Sequence, residues 1–124
     1  MKRKPFGSLL LMGFFAVIVP LLSQSLADSP PTNRAHAILS ELSDAQRNAT
    51  LTKFIKKDGK NCDVVKKNFF QGFDSEGNAY WDAECRNKKV WVVSLANDQQ
   101  GSTKVLGCDF LKTIGGGECF TKLK

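Results

Sequence analysis

The 124-residue chain contains one histidine, His36. A hydrolase triad or a histidine-based metal site would have to bring distant partners against it, so His36 is expected at the surface near the start of the folded part. The four cysteines, Cys62, Cys85, Cys108 and Cys119, lie 23, 23 and 11 residues apart with no C-x-x-C pair. That spacing argues against a zinc site, a thiol oxidoreductase and covalently attached haem. The run Gly115-Gly116-Gly117 is followed by no G-K-[ST] and has no strand-to-helix context, so it reads as a turn rather than a phosphate cradle. Neither a cofactor nor a metal is therefore expected.

What the chain does carry at its start is an export signal. Lys2, Arg3 and Lys4 form a basic beginning, Phe6 to Leu22 is almost wholly apolar, and Ser25-Leu26-Ala27 puts small residues where a signal peptidase reads. The apolar run falls short of the ~20 residues that a membrane span needs and is broken by Pro20. Cleavage after Ala27 is expected, and with no cysteine following it, neither a lipoprotein nor a stable membrane anchor. Removing these 27 residues leaves 97 and lowers the net charge from +6 to +3. So modest an excess permits weak attraction to anions but argues for no specific nucleic-acid partner.

A 97-residue chain suits one domain, near the lower size limit for an unassisted core. Cysteines in an exported chain supply the assistance as disulfides, and four allow three pairings. The expected layout is a mobile leader over residues 28–32 and a single domain over 33–124. Asn33 can cap a first helical stretch with Ala35, Ile38, Leu39 and Leu42 at helical spacing. Ser43-Asp44-Ala45-Gln46 is a capping box for a second, whose Leu51, Phe54 and Ile55 are out of phase with the first. Either one helix bends near Ser43 or two helices meet there, and Gly59 ends the helical region.

Asn61 to Leu95 reads as three antiparallel strands, with turns at Asp74–Asn78 and Arg86–Lys88. Placing Cys62 opposite Cys85 puts Val64 opposite Ala83 and Lys66 opposite Trp81. One face then carries Cys62, Val64, Trp81, Ala83 and Cys85, continued by Trp91, Val93 and Leu95, and is covered by the helices. The other carries Asp63, Lys67, Tyr80, Asp82 and Glu84 and faces water, with Asp63 set against Glu84. That parity requires a three-residue second turn, in which Asn87 or Lys88 takes a positive φ; Asn is the better candidate. Ser102 to Cys108 can add a fourth strand and Asp109 to Ile114 a helical turn. Strand geometry favours Cys62 with Cys85, which leaves Cys108 for Cys119. The fold class expected is α+β: a helix or helix pair on a small antiparallel sheet of three to four strands, with two disulfides.

The order C-x-V, Q-G-x-D, A-Y-W-x-x-x-C, W-V-V, G-x-T-x-V-L-x-C and C-F, over Asn61 to Phe120, resembles small exported four-cysteine proteins of proteobacteria. The resemblance implies compartment and fold, and assigns no catalytic or binding residue. Two function classes follow from the residues themselves. Adjacent Phe69 and Phe70 cannot enter the same core, so Phe69, Phe70, Phe73 and Tyr80, with Lys67 beside them, are expected to give the first hairpin an aromatic contact patch. The chain then reads as a periplasmic or secreted non-enzymatic module that binds a protein or envelope polymer, an inhibitor of a foreign hydrolase being one form of it. The alternative is a small cell-wall-polymer hydrolase working through Asp82 and Glu84, which needs a cleft around both carboxylates. The lysines from Lys53 to Lys60, with Lys66 and Lys67, read as a solvated helix end favoured by the helix dipole.

Overall fold

The computed structural model describes residues 33–122, so the expected signal segment and leader lie outside the described residues. Two helices, α1 (Arg34–Glu41) and α2 (Asp44–Lys57), precede four strands, β1 (Val65–Phe73), β2 (Ala79–Cys85), β3 (Val90–Leu95) and β4 (Thr103–Gly107), and a last turn of helix, α3 (Phe110–Thr113). The strands form one antiparallel sheet in the order β1-β2-β3-β4. The fold is α+β, with disulfides Cys62–Cys85 and Cys108–Cys119.

The helical region is two helices rather than one bent rod. Ser43 and Gln46 make both bonds of the capping box, which starts α2 afresh after Leu42. Arg47 then closes α1 from outside: its guanidinium donates to the carbonyls of Leu39, Ser40 and Leu42 at 3.1, 3.0 and 2.8 Å. These are carbonyls at the end of the helix, where intrahelical donors run out; that of Leu39 also accepts the Leu42 N–H. At the other end of α1, buried Asn33 accepts from the His36 N–H and donates from Nδ2 to the carbonyls of Gly77 and Leu95. One side chain thus caps the helix and pins it to the end of the sheet.

Leu39, Leu51 and Ile55 meet Val65, Ala79, Trp81, Ala83, Cys85, Val93 and Leu95 in the main core. The expected helix-facing set on β2 and β3 is the observed one. The pairing of β1 is different. Val65, not Cys62, stands opposite Cys85, and Phe70, not Lys66, stands opposite Trp81. Cys62 lies in the segment before the strand, so its disulfide clamps the strand's entrance instead of joining two paired residues. The Val65 N–H goes to the Thr52 hydroxyl of α2 at 2.9 Å, and the Val64 carbonyl accepts from the Arg86 N–H at 2.9 Å. Val64 itself is only half-buried.

Two irregularities, between Val65 and Lys67 and between Phe70 and Gly72, interrupt the alternation that a simple count assumes. The expected Asp63–Glu84 confrontation does not occur. Asp63 accepts from Arg86 at 2.7 Å, and Glu84 lies 3.8 Å from Lys67. The second turn does have three residues, but Lys88 takes the positive φ, at 70°.

The face expected to meet water is covered. The chain after β4 folds back over it, burying Tyr80, Val92 and Leu111 together, with Phe110, Ile114 and Cys119 packed around them. The Cys108–Cys119 bond holds this cover closed, its Cα atoms 5.6 Å apart.

Candidate binding surface

The hairpin aromatics divide between the two faces, and the second β1 irregularity decides how. In a regular strand Phe70 and Phe73, three apart, would point opposite ways. The extra residue at Gln71–Gly72, with Gly72 at φ 141°, pairs Phe70 with Trp81 and Phe73 with Ala79, so both reach the helix face. A β-carbon is poorly tolerated at such a φ, which is why glycine occupies the position. His36, half-buried rather than on the surface, fits against all three rings. Its centroid lies 4.3 Å from that of Phe70, 4.7 Å from Phe73 and 5.6 Å from Trp81.

The Trp81 indole N–H donates to His36 Nδ1 at 3.1 Å, and the Arg47 guanidinium lies 5.1 Å from the Trp81 ring. Burial, and then the positive charge of Arg47, push the His36 pKa below 6.5. The neutral ring is the form that accepts from Trp81. A signal for this role was present in the sequence: His36 stands three residues before Leu39, the buried residue of α1, and so shares its face.

At the outer end of the stack Phe73 remains 47% exposed. Its platform is fixed. The Asp74 carboxylate accepts from the Tyr80 hydroxyl at 2.7 Å, from Asn78 Nδ2 and from the N–H groups of Glu76 and Asn78, and Asn78 Oδ1 accepts from the Asn97 N–H. Desolvation works to raise the Asp74 pKa, and these hydrogen bonds outweigh it and hold it low. Tyr80 is pushed up to about 12 by burial and by Asp74.

The other expected contact residues lie elsewhere. Tyr80 is buried beneath Phe110, 5.8 Å between centroids; Phe69 packs 6.0 Å from Phe120 on the same covered face; Lys67 is exposed on that side of β1. Beyond α1 from Phe73, a groove of about 510 Å³ runs between α1, α2 and the β3–β4 connection. Ala35, Ile38, Leu42 and Phe54 form its apolar lining, with Arg34 and Asp98 among the polar groups around it, and Ile38 is 57% exposed.

Asp82 is fully buried under the C-terminal cover, not displayed on an open strand face. Its Oδ2 accepts from Gln71 Nε2 and from the Phe120 N–H, while its Oδ1 and Gln71 Oε1 have no partner among the described residues. Desolvation raises its pKa against those two hydrogen bonds. Glu84, half-buried, lies 3.8 Å from Lys67, and with Asp82 covered the two carboxylates do not face solvent together.

His36 and Asp82 give opposite pH dependences. His36, with its folded pKa lowered, contributes stability that is present above 6.5 and lost as pH falls through the folded value. Asp82, with its folded pKa raised, contributes stability that is present below the ordinary carboxylate value and lost as pH rises through the folded one. Asp82→Asn is therefore expected to melt at or above the wild-type temperature at pH 7, with the difference closing below pH 3.8. Asp82→Leu, which removes the acceptor shared by Gln71 Nε2 and the part-buried Phe120 N–H, should cost roughly 1–3 kcal/mol. Melting curves of both variants between pH 3 and 8 check this. Comparison with protein-family models, with curated proteins and with solved structures yields no match.

Proposed function

We propose that this chain is an exported, non-enzymatic binding module of the bacterial envelope whose contact face is centred on α1. The observation that carries the reading is the location of exposed apolar bulk. Phe73 and Ile38, the two large hydrophobic side chains left exposed among the described residues, flank the same short helix, one on the aromatic stack and one on the groove. Exposed apolar groups gathered in one place point to an interaction site, whereas scattered ones do not. The rigid hairpin tip means that Phe73 would lose little freedom on meeting a partner. The burial of Asp82 favours this reading over the hydrolase, which requires Asp82 and Glu84 to face a substrate together.

In this reading the protein starts at Asp28 and resides in the periplasm or outside the cell. The two disulfides fit an oxidising compartment, and among the described residues no helix is long and apolar enough to cross a membrane. The mass of the exported protein tests the start site, and an intact 1–27 segment would contradict it.

The contact face is tested by alanine changes and co-purification from native envelope extract. Phe73→Ala is expected to weaken retention of the partner by roughly 1–4 kcal/mol, with Ile38→Ala next, while the melting temperature changes little. Retention unaffected by either change would remove α1 as the contact face.

A further inference from the structure

The opposite end of β2 from Phe73 carries a different surface. There the Cys62–Cys85 bond joins the segment leaving α2 to the β2–β3 turn. Asn61 ties the two further: its carbonyl accepts from Trp91 Nε1 at 3.1 Å and its side chain from Asn87 at 3.3 Å. The end of α2 and the segment after it, with Lys56, Lys57 and Lys60, are thereby joined to the turn that carries Arg86, Lys88 and Lys89, some thirty residues away in sequence. Asp58 and Asp63 are the carboxylates among them. Residues 33–122 hold 14 Lys and Arg against 11 Asp and Glu, and the two joined segments, 56–63 and 86–89, carry six of those cations against Asp58 and Asp63.

Two observations separate this end from an ordinary solvated helix terminus. Of its six cations only Arg86 has a carboxylate within 4.0 Å among the described residues. The dipole of α2 explains Lys56 and Lys57, but not three more cations on a separate turn joined to the segment that follows the helix. Lys88, moreover, holds φ 70°, a backbone angle for which glycine or asparagine is far better suited. A long cationic side chain is thus kept at the turn tip against local preference, on a base clamped by a disulfide.

We infer that this basic end binds an anionic polysaccharide, and that it does so independently of the α1 face. Five of the six cations are lysines, flexible point charges that suit dispersed carboxylate or sulfate groups more than paired, planar recognition. Among the described residues the exposed large apolar side chains, Ile38 and Phe73, lie at the other end, which favours a soluble polyanion over a bilayer for the basic end. Trp91, the aromatic here, is half-buried with Lys60 5.9 Å from its ring, which leaves no open stacking platform for bases. A module held to an anionic envelope polymer at one end of β2 keeps its α1 face free at the other.

The test uses the exported protein with heparin as the polysaccharide probe, phosphatidylglycerol-containing vesicles and a single-stranded oligonucleotide as the competing classes. Binding of heparin is expected at about 0.15 M salt, with an affinity that falls as salt rises, each neutralised charge adding roughly 0.7–0.9 to the log–log slope. The triple change Lys57→Gln, Lys88→Gly and Lys89→Gln should weaken it by about tenfold or more. The control triple Lys104→Gln, Lys112→Gln and Lys122→Gln, equal in net charge, should weaken it less than about threefold. Lys88→Gly alone should lose affinity while its melting temperature holds or rises, and Phe73→Ala should leave heparin binding unchanged. Equal losses in the two triples, no binding of heparin, or tighter binding of the vesicles or the oligonucleotide would overturn the inference.

Discussion

Replacing Cys62 and Cys85 together by alanine is expected to lower stability by roughly 3 kcal/mol, the loop-closure value for a bond spanning 23 residues. For a domain of this size that corresponds to a fall of about 12–24 °C in melting temperature. The site raises the effect rather than softening it. Both sulfurs belong to buried residues in the main core, and the bond holds the entrance of β1 to the end of β2, where Val65 takes its backbone partner from Thr52. Removing Cys108 and Cys119 should cost somewhat less, since that loop spans 11 residues, and should loosen the cover over Tyr80 and Asp82. Thermal unfolding of the two double variants, followed separately, distinguishes them. Equal melting of the wild type and the Cys62/Cys85 variant would contradict the assigned role of the clamp.

The second large effect is expected at Trp81. Its ring is buried between Phe70, His36 and Arg47, and Trp→Ala in such a setting costs about 3–5 kcal/mol. That is a large part of the 5–15 kcal/mol by which domains are normally stable. Trp81→Phe separates packing from the hydrogen bond. It retains an aromatic ring against Phe70 but leaves His36 Nδ1 without its donor, and should cost about 1–2 kcal/mol. Denaturant unfolding of both variants checks the order; a Trp81→Ala protein within about 1 kcal/mol of wild type would mean that the stack does not anchor the core.

The α+β class and the helix-facing set of β2 and β3 follow from local rules: a capping box, a three-residue turn and strict alternation; the disulfide pairing is the expected one, although the register with Cys62 opposite Cys85 that suggests it is not the observed one. Those rules operate over a few residues, and β2 and β3 pair without irregularity. They fail on β1 because each irregularity changes the parity of all that follows, and Gly72, the one visible hint, sits inside an otherwise ordinary strand pattern. The cover over Tyr80 and Asp82 was hidden for a different reason. It depends on where an 11-residue disulfide loop folds, a long-range matter that spacing does not determine. With that face taken as open, Asp82 reads as an exposed carboxylate and Tyr80 as a contact residue. The basic end was half visible, as lysines of a helix terminus; its other half arrives only when Cys62 meets Cys85.

The contact-face reading stands or falls on a comparison of Phe73→Ala with Asp82→Asn and Glu84→Gln against one partner, measured by calorimetric titration once that partner has been co-purified. The expected result is loss of affinity of roughly 1–4 kcal/mol for Phe73→Ala, with only a small fall in melting temperature, and with both carboxylate variants binding as wild type does. Hydrolysis of the partner by the wild type that Asp82→Asn or Glu84→Gln abolishes, together with full binding by Phe73→Ala, would contradict it and restore the strand carboxylates as the working groups.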